Sequence, residues 1–216
     1  STMAAPVLLL HGIWMRGLTM RPLARRLAAA GYAPQILDYA SINEPVEAHL
    51  DRLRGSVLAL ADRGHREVHY LGHSLGGVLI AHLLDRHGAN LPAGRVVTMG
   101  SPLAGSALAL RLTRWHLGLL TMGHARVVLT PGLSHWHAPQ ALGSIAGRLR
   151  LGWAMLAGGL PGPHDGTVAV SETRLPGMRD HLVVPASHSG LLLSAAAAQA
   201  AIRFFDTGAL GWPEAD

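Results

Sequence analysis

Short aliphatic runs alternate along the chain with longer segments of helical spacing. Val7 to Leu10 is an unbroken apolar run ending at His11-Gly12, the pattern of a strand buried on both faces, as in a parallel sheet. Met20 to Ala30 has apolar residues at helical spacing and stops at Gly31, a glycine helix end. Gln35 to Asp38 reads as a short strand, Pro45 to Arg63 as a long helix ending at Gly64, and Val68 to Leu71 as a strand. Leu75 to His87 reads as a helix ending at Gly88, and Arg95 to Met99 as the next strand. Strands separated by helices of this length need crossover connections, which predicts a mostly parallel sheet with helices on both faces.

The regularity breaks from about residue 103 to 142, a stretch bearing Arg, Trp and His and interrupted by Thr130-Pro131-Gly132. It is expected to form a small cap inserted over the end of the sheet. Its apolar part, Ala107 to Leu120, contains Leu108, Leu110, Leu112, Trp115, Leu117 and Leu119. That part reads first as packing over the sheet and second as a lid helix that meets lipid. Strand character returns at Ser144 to Ala146 and Leu182 to Val184, and Leu191 to Phe205 reads as a last helix closed by Gly208. About six strands result, in one domain spanning residues 1–216.

Composition narrows the chemistry. With 216 residues, 49% hydrophobic and 14% charged, the chain suits one globular domain. It has no Cys, which excludes a thiol nucleophile, a thiolate zinc site and an iron–sulfur cluster. All 18 basic residues are Arg, so a P-loop lysine, a pyridoxal Schiff base and a Ser-Lys dyad are excluded too. The net charge is +5, but the arginines are scattered and aromatic residues make up only 5%, so no nucleic-acid partner is expected. Between Asp85 and Asp165 there is no carboxylate and there are seven Arg. That stretch reads first as a solvated, Arg-decorated face and second as a surface favourable toward anionic substrates or transient contact with anionic lipid. No run of 18 strongly apolar residues suggests a membrane span. Ser1 to Pro6 has no basic n-region, so it is not read as a signal peptide, and a soluble, cytoplasmic protein is expected.

The sharpest chemical signal is Gly72-His73-Ser74-Leu75-Gly76-Gly77, directly after one predicted strand and directly before a predicted helix. A serine in such a strand-to-helix turn is strained, and small residues two before and two after let the neighbouring backbone approach. A serine hydroxyl keeps its proton at neutral pH, so Ser74 needs a base, and the base needs an orienting acid. Past the cap the acids are Asp165, Glu172, Asp180, Asp206, Glu214 and Asp216. Asp165 is the candidate, because it sits in the turn-forming Gly162-Pro163-His164-Asp165-Gly166 after the strand near Ile145; Glu172 and Asp180 are the alternatives. Of 14 histidines, His188 is the candidate base, since it follows the last predicted strand and precedes the last helix. His181 is expected before that strand, at the opposite end of the sheet, and His164 is too close to its own neighbour Asp165. Two N–H donors are required for a developing oxyanion; the amide of Leu75 follows the nucleophile, and the amide of Ile13 lies in the loop after the first strand. Trp14, Met15, Leu103 and Trp115 are expected to line the substrate pocket. His135 and His137 alternate around Trp136 like strand ligands, but no third ligand has suitable spacing. Neither a metal nor a cofactor is expected.

These segments resemble the α/β-hydrolase superfamily, in particular small bacterial serine esterases and lipases. The marks are Leu10-His11-Gly12-Ile13-Trp14, the Gly72 to Gly77 turn, Gly100-Ser101-Pro102-Leu103-Ala104-Gly105-Ser106, Asp165-Gly166-Thr167-Val168 and Ser187-His188-Ser189-Gly190. Ser101 stands where lipases usually carry Thr. The resemblance implies Ser74 as nucleophile, Asp165 as acid, His188 as base and the amides of Ile13 and Leu75 as oxyanion donors. It implies hydrolysis of a small-molecule or lipid ester through an acyl-serine. Acyl transfer or thioester cleavage would use the same groups, and a non-enzymatic binding module on this scaffold would ordinarily have lost one of the three.

Overall fold

The computed structural model describes residues 3–117 and 121–211. Leu119 and Leu120 of the apolar stretch, and the acids Glu214 and Asp216, lie outside the described residues. Six strands, β1 (Pro6–Leu10), β2 (Ala33–Leu37), β3 (His69–His73), β4 (Arg95–Met99), β5 (Ala141–Gly147) and β6 (Asp180–Val184), form one sheet in the order β2-β1-β3-β4-β5-β6. Every neighbouring pair is parallel. Helices α1 (Arg21–Ala29), α2 (Val46–Asp62), α3 (Leu75–His87), α4 (Ala107–Arg114), α5 (Arg126–Leu129) and α6 (Trp153–Leu156) lie between strands, and α7 (Ala195–Thr207) follows β6.

The aliphatic runs belong to buried strands because both sheet faces are covered. Successive side chains of a strand point to opposite faces. Leu8, Leu10, Tyr70 and Val96 accordingly pack into one apolar cluster with α2 and α3. Val7, Leu9, Leu71 and Val97 enter a second cluster with α1 and α7. Burying a leucine this way contributes roughly 1.5–3 kcal/mol, so the sheet is held from both sides by the residues that made the runs legible.

Several boundaries differ from the sequence expectation. β2 covers Ala33–Leu37 rather than Gln35 to Asp38, and it includes Pro34. Proline is tolerated there because β2 pairs only with β1 and forms an edge of the sheet. β5 is longer than Ser144 to Ala146, since Leu142, Gly143 and Gly147 are also buried in it, the two glycines giving no apolar signal. The last helix starts at Ala195, not Leu191: Gly190–Leu192 forms a 3-10 turn, and the Ser194 hydroxyl accepts the Ala197 N–H to open α7. The first helix likewise begins at Arg21, after a 3-10 turn over Gly17–Met20. His181 lies inside β6, paired with Ser144 of β5, not before the strand.

Candidate active site

In a parallel sheet all strands end on the same edge, and the loops leaving that edge are brought together. β3 ends at His73, and Ser74 follows with φ 54° and ψ −121°, a strained conformation for a residue with a side chain. The strain persists because the surroundings leave no alternative. A Cβ on Gly72 would lie 2.4 Å from the Gly77 nitrogen, and one on Gly76 would lie 2.3 Å from the Leu10 carbonyl oxygen. The turn is therefore pressed against the end of β1, and α3 begins at the next residue, Leu75.

The loop after β1 is locked beside this turn. His11 donates from Nδ1 to the Gly12 carbonyl (2.8 Å), while its Nε2 accepts the Tyr39 N–H (3.2 Å). The ring stacks on Tyr39 at 4.1 Å, and the Tyr39 hydroxyl donates to the His11 carbonyl at 2.7 Å. Burial pushes the His11 pKa down. Its Nε2 is also 3.2 Å from Asp38 Oδ1, but a buried neutral ring whose Nε2 already accepts an N–H does not form an ion pair there. A Cβ on Gly12 would be 3.1 Å from the Ser74 Cβ, so the Gly12-Ile13 segment passes directly over Ser74. Among the described residues, the N–H groups of Ile13 and Leu75 donate to no protein acceptor. Both amides are thus available to a ligand next to Ser74.

Asp165 and His188 meet from two different loops. Asp165 lies in the connection from β5 to β6, and its Oδ1 accepts the N–H groups of Thr167 (3.0 Å) and Val168 (2.8 Å). Oδ2 accepts the Nδ1–H of His188 at 2.7 Å, and the Asp165 carbonyl accepts the His188 N–H at 2.9 Å. The carboxylate is buried and carries three hydrogen bonds, which fixes its orientation. Because Nδ1 of His188 holds the proton, Nε2 keeps its lone pair for another donor. His188 is in turn tied to the serine turn: its ring lies 4.7 Å from the His73 ring, and His73 Nε2–H donates to its carbonyl at 2.8 Å.

The alternatives occupy other positions. Glu172 accepts the Ala169 N–H at 2.8 Å and the Ala107 N–H at 2.5 Å, so it joins the acid loop to the start of α4. Burial raises its pKa against the pull of those two amides. Asp180 accepts the N–H groups of His181 and Leu210 at the opposite end of β6. His181 donates from Nε2 to the Thr173 hydroxyl at 2.8 Å, which itself donates to the Val170 carbonyl; burial and the Arg174 charge lower its pKa to about 4. His164 accepts the Gly166 N–H. His135 and His137 stack at 4.5 Å, and among the described residues no group of three or more His, Cys, Asp or Glu could hold a metal ion.

Ser74 opens into a cavity of about 550 Å³. Ile13 and Trp14 from the β1 loop, Leu108, Leu112 and Trp115 from α4 and its end, and Val168 beyond Asp165 form much of its wall. Trp14 and Trp115 therefore line the cavity beside Ser74. Met15 and Leu103 do not line the cavity. Leu103 is buried in the core cluster under α3, and Met15 packs on the opposite side of the sheet with Met20 and Leu23. Other wall residues, including Met122, Leu129, Leu156 and Thr167, went unassigned from sequence. Leu108 and Leu112 did carry a readable signal, since with Trp115 they fall on one helical face.

No protein-family profile matches the chain, and no curated protein does. Solved structures do match. Mature lipase BlEst2 of Bacillus licheniformis superposes with a TM-score of 0.71 at 20% identity, covering 89% of this chain and 88% of that one. A lipase-esterase related protein of Clostridium acetobutylicum gives 0.62 at 13% identity, covering 94% and 95%. A putative hydrolase of the α/β superfamily from Xanthomonas campestris gives 0.56 at 17% identity, covering 93% and 95%. With its six parallel strands, flanking helices and serine turn at the end of β3, the chain has the α/β-hydrolase fold.

Proposed function

We propose that this protein is a serine hydrolase that cleaves carboxylic esters through an acyl-serine. The observation that carries the reading is the buried 2.7 Å Asp165–His188 hydrogen bond, tied through His73 to a serine held in a strained turn. In this reading Ser74 Oγ attacks the ester carbonyl carbon while His188 Nε2 takes its proton. The carbonyl π electrons move onto oxygen, where the N–H groups of Ile13 and Leu75 meet the new charge. Collapse expels the alcohol, which receives the proton from His188, and leaves the acyl group on Ser74. Water, deprotonated by the same nitrogen, then attacks the acyl-serine and releases the acid. Asp165 stays ionised throughout and stabilises the imidazolium.

The apolar cavity wall favours an ester with a hydrophobic acyl or alcohol part. Two of the structural neighbours, lipase BlEst2 and the lipase-esterase related protein, point the same way. The segment from 103 to 142, which supplies α4 and α5, serves in this reading as a cap over the serine. The test is labelling with a fluorophosphonate probe followed by peptide mapping. Modification of Ser74 in the parent, with none in Ser74→Ala, is expected; labelling at another residue, or undiminished p-nitrophenyl ester turnover by Ser74→Ala, overturns the proposal.

A further inference from the structure

The rim of the cavity is apolar and open. Trp14, Trp115, Leu117 and Leu156 all line the cavity, yet they are also exposed, Leu156 to 82%. The chain leaving β5 extends this surface, with Leu149 exposed to 48%, Leu151 to 63% and Met155 to 56%. Exposed apolar side chains are ordinary singly, but a run of them beside a cavity mouth marks an interaction surface.

The charges interleaved with these residues are all of one sign. Arg148 and Arg150 alternate with Leu149 and Leu151, and all four are exposed. Arg114 and Arg126 are exposed on α4 and α5, which supply Leu108, Leu112 and Leu129 to the cavity wall. None of these four arginines makes an ion pair with a carboxylate among the described residues; the described arginine ion pairs belong to Arg16, Arg52 and Arg86. The stretch from residue 86 to 164 contains no acid to neutralise them. Among the described residues no helix is long and apolar enough to cross a membrane, so the surface suits lying on a bilayer, not spanning it.

We propose that the cavity rim, built from the 148–156 segment with α4 and α5, docks on an anionic phospholipid surface. Leucine and methionine side chains enter the boundary of the acyl region while the guanidinium groups stay at the headgroups, the arrangement of an interfacial anchor. A second copy of the chain fits poorly, because a two-fold interface would bring the same unpaired arginines face to face. A purely zwitterionic membrane gives the arginines no net partner. The inference does not depend on the hydrolytic reading, since binding requires neither Ser74 nor His188.

The test is co-sedimentation of the full chain as Ser74→Ala, which keeps the lipid intact in any case. Vesicles of phosphatidylcholine alone are compared with vesicles of phosphatidylcholine and phosphatidylglycerol in equal parts. Binding to the mixed vesicles alone, weakened by salt, is expected. Arg148→Ser with Arg150→Ser is expected to weaken it about twenty-five-fold, from about fivefold per arginine at an anionic surface. Leu149→Ser, Leu151→Ser and Met155→Ser together are expected to weaken it at least about tenfold, with circular dichroism unchanged because all three residues are exposed. Should the triple variant fail to fold, the arginine pair decides alone. Equal binding to both vesicle types, no binding to either, or binding indifferent to the arginine pair overturns the proposal. So does a stable dimer in sedimentation equilibrium that the leucine substitutions dissociate.

Discussion

His73 Nε2–H donates to the main-chain carbonyl of His188 at 2.8 Å, so the residue immediately before Ser74 holds the loop that carries His188. The link is short, wholly buried and spans 115 positions of sequence. His73 positions His188 relative to Ser74, and as a neutral ring it does so in the Nε2–H tautomer.

His73→Phe removes that donor and leaves a buried carbonyl without a partner, a cost of about 1–3 kcal/mol. Ester turnover is expected to fall about tenfold or more in kcat with KM little changed, because the base shifts and the apolar cavity does not. Equal loss in kcat and gain in KM would instead indicate a disturbed pocket.

The same histidine predicts acid sensitivity. Complete burial, helped by the nearby charge of His188, lowers its pKa to about 3, against about 6.5 in an unfolded chain. Between those values the unfolded state binds the proton and the folded state does not. Stability from this group is therefore full above about pH 6.5 and declines as pH falls toward 3. A melting series in that window should show a shallower fall for His73→Phe than for the parent, measured relative to each protein's value at neutral pH.

Gly100 stands against the Asp165–His188 pair. Its φ is +58°, and a Cβ there would lie 3.0 Å from His188 Nδ1 and 3.1 Å from Asp165 Oδ2. Gly100→Ala is expected to cost about 1–3 kcal/mol of stability from the backbone alone and to wedge the 2.7 Å pair apart. Activity at a temperature well below the melting point should drop by about a hundredfold or more.

The two candidate acids separate cleanly. Asp165→Asn should lower kcat by about 10⁴, as loss of the orienting carboxylate does in other such sites. Glu172→Ala removes a bridge between the acid loop and α4, so a loss of about 1 kcal/mol in stability is expected with most of the turnover kept. Thermal melts and steady-state kinetics on both variants check this; the reverse pattern would move the acid to Glu172.

The cavity can be shortened without touching the serine. Leu112 lies on its wall, and Leu112→Trp should lower kcat/KM for long acyl p-nitrophenyl esters by about tenfold or more while leaving the acetate unaffected. Parallel loss for every chain length would count against an acyl-binding role for α4.

Much of this was readable in the chain itself. Val7 to Leu10 and Arg95 to Met99 announced buried strands because both faces of the sheet are covered, which removes the polar alternation. Gly72 and Gly76 flanked Ser74 because backbone passes within 2.4 Å of where their side chains would stand. These are local demands, and local demands leave marks at fixed spacing. The position of Pro34 inside β2 and the placement of His181 within β6 were not legible, because an edge strand is specified by its neighbour as much as by its own residues.

The order of side chains alone determined a layered parallel architecture, a strand-to-helix serine turn and the candidates Asp165 and His188. The contact between those two residues, the clasp of His73 on residue 188 and the separation of Met15 and Leu103 from the cavity were decided by tertiary structure. The reason is physical: periodicity records which face a residue turns toward its own element's neighbours. Which loops converge at one sheet edge, and at what distance, follows only from packing strands and helices that lie far apart in sequence.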